Sequence, residues 1–251
     1  MTVQKTLRNV GRQAVLGTLT LLYPPRCPLC EVPLEDGPRG LRFVCQGCLG
    51  QIQQVRPPWC IRCGDSLKEG HDLCVRCAFQ EVPFERARSF GVYEGLLARL
   101  IQLLKFQGER ALAKELSPLL AQVFNQEDLA EIIEGITFVP MSRRSQWARG
   151  FNQSELLARH LGALLDKPVF ATLWKRRETR PQVELSGQER LENLRDAFVP
   201  LLPARCERIL LIDDVYTTGA TTTECSRALQ RAGYSRVYVL TLARTPIAEK
   251  E

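Results

Sequence analysis

The chain has 251 residues, of which 45% are hydrophobic and 25% are charged, and its formal net charge is +6 at pH 7. This composition is ordinary for a soluble globular protein with one sizeable core and a smaller module. It excludes a chain dominated by low-complexity sequence. The mild positive charge favours polyanionic ligands but identifies none by itself.

Residues 1–23 are predicted to form an amphipathic helix that packs on the following module or on a partner. The apolar segment 14–23 follows basic residues, as in a signal peptide, but no small-residue cleavage site comes after it, and it is too short to span a bilayer. We therefore expect a cytoplasmic protein without a transmembrane segment, which reaches a membrane only through partners. The apolar positions that share one helical face are Val3, Leu7, Val10, Ala14 and Leu21.

Residues 24–80 hold eight of the ten cysteines, in four C-x-x-C pairs. A disulfide scaffold suits a small secreted domain, whereas a large domain follows here, so the pattern predicts two structural Zn²⁺ sites of four thiolates each. The spacing allows sequential or interleaved combination of the pairs. The module is either purely structural or also docks nucleic acid or protein through Arg56, Arg62 and Arg76. The predicted ligands are Cys27, Cys30, Cys45, Cys48, Cys60, Cys63, Cys74 and Cys77.

Residues 81–251 are predicted to form an α/β domain, with residues 80–95 as the connection into it. Apolar residues at helical spacing predict helices in the segments LLARLIQLLKF, ALAKELSPLLAQVF, NQSELLARHLGALL and QERLENLRDAF, and GITFVP predicts a short strand. The order RILLIDDV, GATTTECSRALQRAG and RVYVLTLAR predicts strand, helix and strand. Such a βαβ unit implies a parallel sheet flanked by helices.

Two adjacent carboxylates, Asp213 and Asp214, end the predicted strand RILLIDDV. The carboxyl edge of a parallel sheet is where ligands bind, and the helix that follows offers backbone N–H groups to an anion. The loop between them adds threonine hydroxyls, and Gly219 lets the backbone approach a ligand closely. This arrangement suits a ribose 5-phosphate group held together with Mg²⁺.

The stretch ILLIDDVYTTGATT resembles the phosphoribosyl pyrophosphate signature of type I phosphoribosyltransferases, with Tyr216 at a position that is usually aliphatic. We expect Tyr216 to pack sideways, away from the sugar. The segments at 138–161 and 176–198 resemble further blocks of the ComF family, as do LLARLIQLLKFQG and the cysteine pairs. That family joins a zinc ribbon module to a phosphoribosyltransferase-like domain. It includes ComFC-type proteins of natural DNA uptake and GntX-type proteins of bacteria that use external DNA as a nutrient.

The resemblance also implies roles for individual residues. Asp213 and Asp214 would hold the ribose hydroxyls with Mg²⁺. The 5-phosphate would lie in the loop Thr217, Thr218, Gly219, Ala220 and Thr221, and the pyrophosphate would lie against basic loops with Ser142, Arg143, Arg144, Arg149 and Arg177.

The resemblance leaves three functions open. The chain binds the phosphoribosyl donor and handles single-stranded DNA in uptake or nutrient use, together with DNA-uptake or recombination proteins. Alternatively, it transfers phosphoribose to an unidentified acceptor, for which Glu178 and Glu184 are the candidate bases, or it senses the donor without catalysis. Few aromatic residues are expected at the surface, so DNA binding is predicted to depend on phosphate contacts, mainly at the zinc ribbons.

Overall fold

The computed structural model describes residues 26–34, 43–177 and 193–245. Its elements are α1 (Gln46–Gly50), α2 (Val75–Phe79), β1 (Arg86–Val92), α3 (Gly95–Phe106), α4 (Leu112–Gln126), β2 (Gly135–Phe138), α5 (Arg143–Arg149), α6 (Gln153–Leu165), β3 (Leu173–Lys175), β4 (Phe198–Pro200), β5 (Arg208–Tyr216), α7 (Ala220–Arg231) and β6 (Arg236–Arg244).

A four-stranded parallel sheet in the order β1-β6-β5-β2 forms the centre of the fold. Its two middle strands are aliphatic and almost wholly buried, as expected for strands covered on both faces. Helices α4 and α6 pack against the sheet, and α7 packs against β5, β6 and a separate antiparallel pair, β3 and β4. The predicted α/β class with a parallel sheet flanked by helices is confirmed.

The prediction that residues 80–95 only connect two regions is wrong, because these residues contain strand β1. Its sequence RARSFGV carries polar side chains at buried positions, which hid the strand pattern. Ser89 shares a hydrogen bond of 2.7 Å with Thr241 of β6, and Arg88 forms an ion pair of 2.7 Å with Glu127. Buried polar groups with such partners are tolerated inside a fold, so β1 can form the edge of the sheet.

The first five residues of the predicted helix QERLENLRDAF, 188–192, lie outside the described residues, and of the other six only 193–194 are helical. Its last residue, Phe198, begins β4 instead and pairs with Lys175 of β3. The helix predicted for residues 1–23 also lies outside the described residues. Every helix within residues 26–34, 43–177 and 193–245 is too short or too polar to cross a lipid bilayer.

Contacts between Cα atoms divide the chain into two compact units, Met1–Gln51 and Ile52–Glu251. The first unit contains Cys27, Cys30, Cys45 and Cys48, and the second contains the other four paired cysteines together with the sheet. The predicted ribbon module of residues 24–80 therefore spans both units. Its limits at residues 23 and 80 remain predictions.

Candidate functional site

The two neighbouring carboxylates lie at the carboxyl edge of the sheet, and each is buried among hydrogen-bond donors. Asp213 Oδ1 accepts hydrogen bonds of 2.9 Å from Ser154 Oγ and from the Asp214 backbone N–H. Asp214 Oδ2 accepts one of 2.6 Å from Gln153 Nε2, and its Oδ1 lies 2.7 Å from Lys105 Nζ. A buried charge is stable only when it is paired and hydrogen-bonded, and these contacts explain how the chain accommodates two adjacent carboxyl groups.

Lys105 is the site residue that sequence analysis missed. It lies in the last turn of α3, four residues after Ile101 and eight after Leu97, both of which are buried. A lysine at a core position of an amphipathic helix needs a buried anion, and that was the available signal. Burial lowers the pKa of Lys105, but the charges of Asp214 and Asp213 outweigh it and raise the pKa above its ordinary value. Lys105 is therefore a cation at neutral pH.

The acidity of Asp213 is strongly altered. Burial, and next the charge of Asp214, raise its pKa to about 7, against the opposing effects of Lys105 and the hydrogen bonds it accepts. Asp213 therefore changes its protonation near neutral pH, and its carboxylate is fully formed only in mildly alkaline solution.

The loop after β5 is shaped by Gly219, which has a left-handed backbone with φ of 76° and caps the N-terminus of α7. A Cβ atom there would lie 2.3 Å from the hydroxyl oxygen of Tyr216, so only glycine fits without a shift of the loop. Thr218 Oγ1 accepts a hydrogen bond of 3.4 Å from the Ala220 N–H. The first turn of α7 leaves backbone N–H groups without intrahelical partners at this loop, which suits an anion.

A cavity of about 290 Å³ joins the acidic pair, Lys105 and the loop. Of the residues predicted to hold the phosphate, Thr217, Gly219 and Thr221 line it. Tyr216 packs beneath Gly219 and also borders the cavity. The residues around the cavity are Tyr93, Lys105, Asp213, Asp214, Val215, Tyr216, Thr217, Gly219, Thr221 and Thr222.

The predicted basic residues differ in their relation to this site. Arg149 Nη1 donates a hydrogen bond of 2.6 Å to Gln153 Oε1, and Gln153 in turn contacts Asp214. Arg143 and Arg144 are exposed on α5, whose first turn is capped by Ser142 through a hydrogen bond of 3.2 Å to its Oγ from the Ser145 N–H. Arg177 is exposed and donates a hydrogen bond of 2.9 Å to the carbonyl of Arg195. The structure thus joins Arg149 to the acidic pair.

The eight paired cysteines form two clusters in sequential order, and in each cluster the sulfur atoms lie within 4.8 Å of one another. A tetrahedral site with Zn–S bonds of about 2.3 Å requires sulfur atoms about 3.8 Å apart. The distances are 3.6 Å between Cys30 and Cys45 and 3.9 Å between Cys27 and Cys48. Cys63 and Cys74 are 3.6 Å apart. Both clusters therefore fit zinc, and the interleaved arrangement is excluded.

We expect zinc to leave the two clusters at different rates. Cys30 is exposed and Cys45 is half-buried, whereas Cys60, Cys63, Cys74 and Cys77 are all buried. A chelator reaches an exposed thiolate first, so the first cluster, Cys27 to Cys48, should lose its metal faster. A colorimetric chelator added to protein with two zinc ions should show two phases of equal amplitude, and Cys30→Ser should remove only the fast one. A single phase that releases both ions would contradict this expectation.

Comparison with known proteins gives the family of the chain. A family model described as the double zinc ribbon domain matches residues 18–78. Competence protein F of Haemophilus influenzae is 34% identical over 227 residues, which are 87% of this chain and 96% of that protein. DNA utilization protein YhgH of Escherichia coli is 33% identical over 229 residues, which are 90% of this chain and 99% of that protein.

Two more distant similarities accompany these matches. Competence protein ComFC of Bacillus subtilis is 24% identical over 200 residues, which are 76% of this chain and 79% of that protein. The crystal structure of a purine phosphoribosyltransferase from Pyrococcus horikoshii aligns with 56% of this chain and 94% of its own, at 16% identity and a TM-score of 0.31. Because relatives about one third identical cover nearly the whole chain, the chain belongs to the ComF family of competence and DNA-utilisation proteins.

Proposed function

We propose that the chain binds phosphoribosyl pyrophosphate with Mg²⁺ in the cavity at the end of β5, and that it acts in the uptake or use of DNA. The observation that carries the first part is the convergence of an acidic pair, a buried lysine and a glycine-shaped loop around one cavity. The second part is supported by the relatives, which are named for competence and for DNA utilisation.

In this proposal the acidic pair recognises the sugar. Asp213 and Asp214 would either accept hydrogen bonds from the ribose hydroxyls or coordinate a Mg²⁺ ion that binds those hydroxyls, since hard oxygen ligands suit that ion. The positive charge of Lys105 reduces the repulsion between the acidic pair and the anionic donor, because Lys105 Nζ lies 2.7 Å from Asp214 Oδ1. The cavity of about 290 Å³ is just below the usual range of about 300–1,000 Å³ for small-molecule sites, which suits the ribose 5-phosphate part of the donor.

The 5-phosphate is assigned to the loop between β5 and α7. Backbone N–H groups at the start of α7 and the hydroxyls of Thr217 and Thr221 are the donors, and Gly219 leaves room for the anion. Thr218 and Ala220 complete the loop backbone.

The pyrophosphate is assigned to the basic residues on the α5 side of the site. Arg149 is the first candidate, because Gln153 connects it to Asp214. Ser142, Arg143, Arg144 and Arg177 are secondary candidates, since a pyrophosphate needs several donors and arginine forks bind it well. The same residues would stabilise a pyrophosphate leaving group, which is the main requirement of transfer at an anomeric carbon. A pyrophosphate-release assay with a panel of acceptors separates a transferase from a protein that binds or senses the donor.

Single-stranded DNA is proposed to bind across α5, where it would share Arg143 and Arg144 with the pyrophosphate, so the two ligands would compete. Trp147 on this helix is 89% exposed, with Arg143 one helical turn before it, and Phe106 is 72% exposed beneath the Arg149 guanidinium at 5.1 Å. Bases stack on exposed aromatic rings while arginines bind phosphates. The sequence alone predicts little stacking and DNA contacts mainly at the ribbons. Two exposed aromatic side chains, Trp147 and Phe106, lie near arginines at α5 and favour it, whereas the second cysteine cluster exposes Phe79.

We expect Trp147→Ala to weaken binding of a labelled single-stranded oligonucleotide by roughly 5- to 150-fold, because one stacked base contributes about 1–3 kcal/mol. The matched control is Phe79→Ala on α2, which removes an aromatic side chain that is 86% exposed at the second cysteine cluster. Fluorescence anisotropy measures both affinities. Weaker binding by the Phe79 variant, with the Trp147 variant unchanged, would assign the DNA to the ribbon instead.

The phosphate contacts are measured separately by a salt series. Neutralising Arg143 and Arg144 should make the slope of log affinity against log salt shallower by about 0.7 for each lost phosphate contact. Neutralising Arg56 and Arg62 serves as the control and should leave the slope unchanged. An unchanged slope in the Arg143 and Arg144 variant would contradict DNA binding across α5.

A further inference from the structure

Arg76 extends from the second cysteine cluster into the loop that we assign to the phosphate. It belongs to the short helix α2, between Cys74 and Cys77. Its Nη1 donates a hydrogen bond to the backbone carbonyl of Thr218, and its Nη2 donates one of 3.0 Å to the Tyr216 hydroxyl. The Arg76 side chain thus contacts two residues, Tyr216 and Thr218, in the segment that precedes α7.

A second arginine holds the same tyrosine from the sheet. Arg244 at the end of β6 is 2% exposed, and its guanidinium lies 5.4 Å from the centre of the Tyr216 ring. It donates hydrogen bonds of 2.7 Å to the carbonyl of Cys63 and to Asp65 Oδ1. Tyr216 therefore lies between two arginines, one that belongs to the ribbon and one that binds to it.

The backbone of this ribbon is also joined to the sheet. The Ala87 N–H on β1 donates a hydrogen bond of 2.6 Å to the carbonyl of Arg62. A Cβ at Gly64 would lie 2.6 Å from the Ala87 carbonyl oxygen, so the two backbones are in close contact. A displacement of the ribbon would be transmitted to the sheet rather than absorbed by a linker.

The charges explain why arginine suits both positions. Four thiolates outweigh one Zn²⁺, so a loaded cluster carries a net charge of about −2. Arg76 and Arg244 both interact electrostatically with Cys63, and they supply two positive charges. Arg244 can therefore be buried and Arg76 half-buried beside the cluster, while their Nη donors bind the loop, the Cys63 carbonyl and Asp65.

We propose that Arg76 is a positioning residue through which the second cysteine cluster, Cys60 to Cys77, fixes the phosphate loop. It holds the Thr218 carbonyl and the Tyr216 hydroxyl, and Tyr216 in turn packs beneath Gly219. These contacts hold the loop N–H groups in one arrangement at the cavity in the ligand-free protein. Less conformational entropy is then lost when an anion binds. The identity of the anion rests on the proposed function, but the coupling between ribbon and loop does not.

The test compares Arg76→Gln with Arg62→Gln, which changes the same residue type in the same ribbon. Hydrogen exchange of residues 216–222 reports on the loop, metal analysis reports on zinc, and calorimetry reports on phosphoribosyl pyrophosphate. We expect R76Q to keep two zinc ions, to exchange the loop amides at least about fivefold faster, and to bind the donor about tenfold more weakly. R62Q should match the wild type in all three measurements.

Two further arms keep the test decisive. If R76Q does not melt cooperatively, Arg76→Lys takes its place and should give an intermediate effect, because lysine keeps the charge but lacks the forked donors. Wild-type protein from which a chelator has removed the zinc of the second cluster, Cys60 to Cys77, should show the same fast hydrogen exchange of the loop amides. Wild-type loop exchange in zinc-loaded R76Q would overturn the proposal, and so would equal effects of R62Q. If the wild type binds no donor, the exchange data still decide the coupling.

Discussion

Replacing both Asp213 and Asp214 with asparagine is expected to abolish measurable binding of phosphoribosyl pyrophosphate. Each carboxylate that accepts a hydrogen bond from a ligand hydroxyl contributes roughly 1.5–3 kcal/mol, so the loss of two weakens binding by about 100-fold or more. Asparagine keeps the shape of the side chain and one acceptor oxygen, which isolates the effect of charge. Isothermal titration calorimetry measures the affinity, and unchanged binding would show that the acidic pair is merely structural.

The two single variants should affect stability in opposite directions. Asp213 has an ordinary pKa of 3.8 when unfolded and a raised pKa of about 7 when folded, so the folded state binds more protons between these values. Its contribution to stability is complete below pH 3.8 and is lost as the pH rises through 7. Asp213→Asn should therefore raise the free energy of unfolding at pH 8, on the order of 1–3 kcal/mol, and the gain should shrink towards pH 5.

Asp214→Asn should instead destabilise the protein, because it leaves the cation of Lys105 without its carboxylate partner. Breaking a buried ion pair from one side costs roughly 3–5 kcal/mol. Adding Lys105→Gln to this variant should restore much of the loss. Thermal melts of the four proteins at pH 8 check these signs, and a stabilising effect of Asp214→Asn alone would contradict the role given to Lys105.

Gly219→Ala is expected to remove donor binding and to lower the free energy of unfolding by roughly 1–3 kcal/mol. The added Cβ would lie 2.3 Å from the hydroxyl oxygen and 2.6 Å from the Cζ of Tyr216. Tyr216 is buried and its hydroxyl accepts a hydrogen bond from Arg76, so the ring has no free direction in which to move. The loop must shift instead, and its N–H groups would leave the phosphate position.

Gly233→Ala is the matched control at the other end of α7. Gly233 also has a left-handed backbone, with φ of 102°, but a Cβ there would meet only the Cβ of Ala204 at an ordinary 3.5 Å. This variant should show the backbone strain without the clash, and its donor affinity should equal that of the wild type. Equal loss of affinity in both variants would mean that general destabilisation, rather than the shape of the phosphate loop, causes the effect.

Those parts of the fold and site that depend on local pattern could be predicted from the sequence. The C-x-x-C pairs, the aliphatic strand before Asp213 and the following helix carry their signals within a few residues. The order of cysteine pairing could not be predicted, because both arrangements use the same residues. Strand β1 was missed because Arg88 and Ser89 are buried in it with partners from distant segments, Glu127 and Thr241.

The residues that complete the site are also brought together by long-range contacts. Lys105 is more than one hundred residues before Asp214, and Arg76 is 140 residues before Tyr216. The local sequence predicts only that Lys105 is part of an amphipathic helix and that Arg76 is a candidate DNA contact on an exposed hairpin. In the structure, Lys105 instead forms an ion pair with the carboxylate of Asp214, and Arg76 donates a hydrogen bond to the carbonyl of Thr218.

Whether the cavity at the end of β5 binds phosphoribosyl pyrophosphate is measured by a calorimetric titration of the zinc-loaded wild type with the donor and Mg²⁺. Ribose 5-phosphate and pyrophosphate serve as reference ligands, and the titration is repeated at pH 8 and at pH 6. We expect one site per chain, tighter binding of the whole donor than of either part, and weaker binding at pH 6, where Asp213 is largely protonated. The absence of saturable donor binding at pH 8, in protein that melts cooperatively, would show that this cavity does not bind phosphoribosyl pyrophosphate.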